Sequence, residues 1–167
     1  MDIEQCEKAT VTARIDPGLP ADAHVIAAMV GELLQEIMVA VSDKVFKFDH
    51  HETEARARAW VSDGSYLVLL ARDGGACVGF LALYQSYALY AGGVYGTIPE
   101  FYVRPSHRSR GIGTALIAES KKVGQARGWR RLEVTTPPLP QFDRTLAFYQ
   151  RQGFTISGGR KLKVEVS

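Results

Sequence analysis

Cysteine is nearly absent. Cys6 and Cys77, the two in 167 residues, give no disulfide framework and no metal-ligand spacing. Cys77 falls in an apolar strand pattern, where a free thiol behaves as a small core residue. Blocks of one charge are missing too. Twenty Lys+Arg stand against 18 Asp+Glu, for a net charge of +2, so nucleic acid meets no electrostatic footprint and is not an expected partner. His24, His50, His51 and His107 show no metal-ligand spacing, and no metal is expected. The longest near-apolar run is read as Ala76 to Tyr84, far short of the ~18 residues of a membrane helix, so no membrane partner is expected. Met1-Asp2-Ile3-Glu4-Gln5 is acidic and polar, unlike a secretory leader. What remains is a soluble, reduced, cytoplasmic protein. Its 46% hydrophobic content is enough for one cored domain over residues 1–167, with no repeat and no dividing linker.

The pattern along the chain is mixed. Thr10 to Ile15 alternates as a half-buried strand, closed by Asp16-Pro17-Gly18. From Pro20 to about Ala40, Ile26, Met29, Val30, Leu33, Leu34 and Ile37 follow helical spacing. Val41 to His50 has no period and reads as a loop. Glu52 to Val61 is a second helix, supported by Glu52–Arg56 and Glu54–Arg58 pairs. Ser65 to Ala71 and Ala76 to Tyr84 are strands about an Asp73-Gly74-Gly75 turn. Tyr84 to Gly96 carries Tyr84, Tyr87, Tyr90 and Tyr95 with three glycines. It reads either as a hairpin with exposed aromatics or as an aromatic wall for a ligand or a homodimer partner. Val94 to Arg104 is a strand interrupted by Pro99, which implies a bulge or a break in pairing. A helix then runs from the Gly111/Gly113 turn to near Gly128, a C′ glycine. Leu132 to Val134 is a strand and Pro137 to Pro140 an extended linker. Asp143 is expected to cap a helix from Arg144 to Gln152, ended by Gly153. Phe154 to Ser157 and Lys161 to Val166 read as two last strands.

Glu100 to Leu116 carries the chemistry. Phe101, Tyr102 and Val103 favour a strand, Pro105 ends it, and a basic turn leads through two glycines into a helix. A glycine turn at a helix N-terminus gathers main-chain N–H groups, and the helix dipole adds to their attraction for an anion. No P-loop run is present, and the third glycine of a dinucleotide fingerprint is replaced by Leu116. The pattern [Arg/Gln]-x-x-Gly-x-[Gly/Ala] is met by Arg108, Gly111 and Gly113. A plain helix-starting turn is the alternative. In this pattern the sequence resembles the GNAT superfamily of N-acetyltransferases, whose pyrophosphate loop for acetyl-coenzyme A has this form. Ala147-Phe148-Tyr149-Gln150-Arg151-Gln152-Gly153-Phe154 is similar to the family's Phe-Tyr-x-x-x-Gly-Phe element. The element order β-α-α-β-β-β-α-β-α-β-β matches the family along nearly its full length. The resemblance implies an α/β (α+β) fold with a central mixed, mostly antiparallel sheet flanked by helices.

It also implies an activity, the transfer of an acetyl group from acetyl-coenzyme A to a primary amine of a small molecule. An alkylammonium with a pKa of about 10.4 must lose a proton, the carbonyl oxygen must be stabilised, and the departing thiolate benefits from a donor. Glu100 is the candidate base, directly or through water. Many relatives place a glutamate one residue earlier, where this chain has Pro99. Without a bulge, adjacent strand residues face opposite sides of the sheet. A solvated or ion-paired strand acid is the alternative. Tyr149 is the candidate acid, or else a core tyrosine beside Phe148. By resemblance, main-chain groups of Phe101, Tyr102 and Val103 hold the pantetheine arm. Amides of Arg108, Ser109, Arg110, Gly111, Ile112, Gly113 and Thr114 hold the pyrophosphate. The family's asparagine near the coenzyme is replaced by Phe142, with Asp143 beside it. A coenzyme-binding sensor, a protein amine as acceptor and a different acyl donor are the competing functions.

Overall fold

The computed structural model describes residues 13–166. Six strands form one sheet in the order β1-β2-β3-β4-β6, with β5 paired to β3. They are β1 (Arg14–Pro17), β2 (Leu67–Asp73), β3 (Ala76–Ala88), β4 (Gly93–Ile98), β5 (Phe101–Val103) and β6 (Leu132–Val134). All pairings are antiparallel except β4 with β6, which is parallel. The helices are α1 (Ala23–Val41), α2 (His50–Asp63), α3 (Ile112–Ala126) and α4 (Asp143–Arg151). The expected mixed, mostly antiparallel sheet flanked by helices is what forms.

Alternation along the central strands, shifted by one residue at the Val78 bulge of β3, divides the core into two layers. Leu69, Ala71, Val78, Leu81 and Leu83 face α3 and join Ile112, Leu116 and Ile117. Val68, Leu70, Cys77, Phe80 and Ala82 face α1 and α2 and join Ala23, Ile26, Met29 and Ala57. Phe80, Leu70, Leu81 and Leu83 are fully buried, each contributing roughly 1.5–3 kcal/mol of apolar transfer free energy. The buried Cys77 is a core residue, as its pattern suggests.

Several expectations shift. Thr10 to Thr12 lie outside the described residues, and β1 runs on through Pro17, which pairs Leu69. A proline is tolerated there because β1 is an edge strand with one side unpaired. Asp49 caps α2, its side chain accepting from the Glu52 N–H at 2.8 Å, so this helix starts earlier than its charge pairs indicate. Both of those pairs form, Arg58–Glu54 at 2.8 Å and Arg56–Glu52 at 3.7 Å. Asp143 does not cap α4. Phe142 holds the N-cap position without a side-chain bond, because the chain turns earlier, with Phe142 N–H on the Pro138 carbonyl at 3.2 Å. The segment from Pro138 is therefore a turn rather than an extended linker.

The two last strands are corrected as well. Phe154 packs on the α3-side core, but residues 154–166 join no ladder. Leu162, Val164 and Val166 are 90, 86 and 94% exposed, so the alternating pattern has no surface to pack on. One further correction concerns apolar length. Pro20–Val41, with a hydropathy of 1.6, is by length and composition apolar enough to cross a membrane. It is instead a helix of this domain. Ala23, Ile26, Ala27 and Met29 are buried against the sheet, and Glu32 and Glu36 are ion-paired from its other turns.

Candidate active site

Pro99 and Glu100 separate β4 from β5 along the same edge of β3. On the β4 side Tyr84 pairs Thr97, and on the β5 side Leu81 pairs Phe101. One extra residue therefore stands in the β4–β5 strand, a bulge at Pro99–Glu100. Proline suits the place because it has no N–H to leave unpaired. The Glu100 carbonyl still accepts from Ala82 N–H at 2.9 Å, so the ladder resumes at once. This puts Glu100 opposite Ala82, on the α1/α2 face, whereas Ile98 packs into the α3-side core.

Glu100 is mostly buried, and burial raises its carboxyl from 4.5 to about 7. Tyr66, just before β2, donates its phenol to this carboxylate. That hydrogen bond favours the ionised form and opposes the burial. A carboxyl that titrates near neutrality is suited to accept a proton at working pH.

The bulge also opens the sheet. β4 pairs β6 as far as Ile98–Val134, but among the described residues β5 pairs only β3. Ala82 bonds at Glu100 and the Arg104 N–H bonds Val78, so by alternation the main-chain groups of Phe101 and Val103 point away from β3. The Val103 carbonyl accepts from Arg108 Nε at 2.8 Å. Beside this free edge lies the N-terminus of α3. Gly111 has φ +79°, which turns the chain into the helix, and α3 starts at Ile112 rather than after Gly113. Gly113 is needed for close approach, since a Cβ there would sit 3.2 Å from Phe148 and 3.3 Å from Phe101.

Of the loop arginines, Arg108 is committed within the fold. Its guanidinium meets Glu36 at 2.6 and 2.8 Å and lies 5.5 Å over the Tyr102 ring. Arg104 makes the matching pair with Glu32, at 2.9 and 3.1 Å. Arg110 is exposed and forms no ion pair among the described residues. The two clamps escaped the sequence reading. Their signal is two acids one turn apart in an apolar helix, matched by two arginines four residues apart.

Tyr149 is 5% exposed, its ring 6.1 Å from Phe101, 5.7 Å from Phe148 and 5.4 Å from Phe154. Burial pushes its phenol far above the tyrosine range, so it stays protonated. It occupies the α3 side, across the sheet from Glu100, its ring beside that of Phe101. A hollow of about 830 Å³ lies elsewhere, at the end of α1, lined by Met38, Val39, Phe46 and Phe48; neither Glu100 nor Tyr149 borders it.

Comparison with known proteins bears on the same elements. A family model described as Acetyltransferase (GNAT) family matches residues 32–154. No curated protein matches the sequence. Among solved structures, the chain is similar to an integron cassette protein from the mobile metagenome of Cole Harbour Salt Marsh. The two share 24% identity at TM-score 0.76, over 92% of this chain and 90% of that one. It is similar to a ribosomal-protein-alanine N-acetyltransferase from Brucella melitensis biovar Abortus 2308, at 23% identity and TM-score 0.69, over 92 and 99%. An aminoglycoside acetyltransferase from an uncultured soil metagenomic sample shares 22% identity at TM-score 0.71, over 93 and 99%. At such identities the likeness is one of fold. The family model spans the second half of α1, the bulged strand, the glycine turn and α4 together, and by that match the chain belongs to the GNAT acetyltransferase family of acyltransferases.

Proposed function

We propose that this protein is a cytoplasmic N-acetyltransferase that moves an acetyl group from acetyl-coenzyme A to a primary amine of a small molecule. One observation carries the proposal. The bulge at Pro99–Glu100 turns a mostly buried carboxyl to one face while freeing the β5 edge beside the α3 N-terminus. The pantetheine arm lies along Phe101, Tyr102 and Val103 as an added strand, bonded to the outward groups of Phe101 and to the Val103 N–H, the Val103 carbonyl being held by Arg108. The pyrophosphate rests on the amides from Arg108 to Thr114. The family generally uses acetyl-coenzyme A, and the chemistry of these donors, main-chain N–H groups at a helix N-terminus, fits its phosphates.

In the reaction, Glu100 takes a proton from the ammonium or its water. The amine lone pair then attacks the thioester carbonyl and a C–N bond forms, the nitrogen sheds its second proton to solvent, and the C–S bond breaks as the thiolate leaves. Tyr149 donates a hydrogen bond to the departing sulfur. A phenol raised by burial gives up its proton to a thiolate of pKa about 8.5 only uphill, so Tyr149 stabilises the thiolate and solvent completes its protonation. The neighbours' names include an aminoglycoside and a ribosomal-protein acceptor. Thiol release from acetyl-coenzyme A with kanamycin, spermidine or an alanine-initiated peptide tests the acceptor class. Turnover with the peptide alone would overturn the small-molecule assignment. No thermal stabilisation by acetyl-coenzyme A would overturn the whole reading.

A further inference from the structure

Glu100 is held by a residue from another part of the chain. Tyr66 donates to its carboxylate across 34 positions of sequence. The tyrosine is fixed in turn by α2: its N–H donates to the Trp60 carbonyl at 3.1 Å, and its ring packs on the Trp60 indole with centroids 5.6 Å apart. The phenol thus reaches Glu100 from a support independent of the strand that bears it. Among the described residues no ion pair reaches Glu100, and no other side chain forms a hydrogen bond with it. Burial raises its carboxyl to about 7.

We propose that Tyr66 is the positioning residue for Glu100, a phenol braced by Trp60 that keeps the carboxylate aimed and satisfied through proton transfer. The proposal rests on Glu100 as the base. A phenol both donates and accepts. It donates to Glu100 when the carboxylate is ionised, and its oxygen can accept once Glu100 has taken the amine proton. Phenylalanine keeps the packing on Trp60 and can do neither. Loss of the donor leaves burial unopposed, which favours the neutral acid.

The test uses the full chain with Tyr66→Phe, Trp60→Ala and Glu100→Gln. Carboxyl carbon NMR follows the titration of Glu100, assigned by its loss in Glu100→Gln. Thiol release from acetyl-coenzyme A with kanamycin or spermidine gives the pH profile of kcat/KM. In Tyr66→Phe the carboxyl should titrate about one pH unit higher, and the acid limb should rise by the same amount, a roughly tenfold loss below the limb. Trp60→Ala should produce a smaller rise in the same direction. An unmoved carboxyl in Tyr66→Phe overturns the positioning role. A carboxyl that moves while the limb stays, or a limb that survives Glu100→Gln, overturns Glu100 as the base and the catalytic consequence of Tyr66 with it.

Discussion

Replacing Glu100 by glutamine should make the protein more stable as pH rises, relative to wild type. The folded carboxyl titrates near 7 and an unfolded one near 4.5. Below 4.5 both states hold the proton. Between these values the unfolded chain ionises while the folded one stays protonated, so wild-type stability falls as pH rises and levels off above 7. A difference of roughly 2.5 pH units at 1.36 kcal/mol each sets a ceiling of about 3 kcal/mol. For a chain of this size that corresponds to about 6–12 °C in melting temperature. Glutamine does not titrate, yet its carbonyl can still accept from Tyr66. Other ionisable groups are common to both proteins and cancel in the difference. Urea denaturation of the two at intervals from pH 4 to pH 8 measures it, and the gap in favour of Glu100→Gln should widen with pH. A pH-independent gap, or one that narrows, would refute the burial argument. In the same variant, kcat/KM should lose its acid limb.

Five other substitutions probe the rest of the site. Gly113→Val should cost about 1–3 kcal/mol in urea denaturation, because its side chain would press on the Phe148 and Phe101 rings. Gly111→Ala, forced to φ +79°, should cost about 1–2 kcal/mol and weaken coenzyme binding in a thermal-shift titration. Tyr149→Phe should leave the melting temperature within about 2 °C of wild type while lowering kcat by ~10²-fold, since its ring packing is retained and only the donor is lost. Arg108→Met should lose at most about 1 kcal/mol, given its partial exposure, and a double-mutant cycle with Glu36→Gln should recover that loss as coupling.

What was legible in the sequence was local. The period of Ile26, Met29 and Ile37 placed α1 on the sheet, and Pro99 announced an interruption that the structure resolves into one extra residue. Contacts between distant segments left at most a spacing, that of Glu32 and Glu36 against Arg104 and Arg108, which does not by itself name the partner. Tyr66 and Glu100 stand 34 residues apart, and Glu36 and Arg108 stand 72 apart. The pattern of Leu162, Val164 and Val166 misled for the opposite reason. Alternation is a property of a strand's own residues, but a strand exists only when an edge accepts its hydrogen bonds, and none does here among the described residues.

Arg108 has a side-chain role beside the amide that the resemblance assigns to it. It is the basic residue of the glycine-loop pattern, and charge beside a phosphate site suggests direct contact. Its guanidinium instead spans the Val103 carbonyl, the Glu36 carboxylate and the face of Tyr102. Those three partners lie at the end of β5, on α1 and within β5, so one side chain ties the free strand edge and the loop to the opposite layer. The N–H groups of the glycine turn and the first turn of α3 need a fixed backbone to converge on an anion. An arginine spent on that backbone does more for phosphate binding than one swinging in solvent. On the proposed function, exposed Arg110 adds long-range charge, which salt screens. Raising ionic strength should therefore weaken coenzyme binding modestly in wild type and less in Arg110→Ala, whereas Arg108→Met should weaken it at every salt concentration.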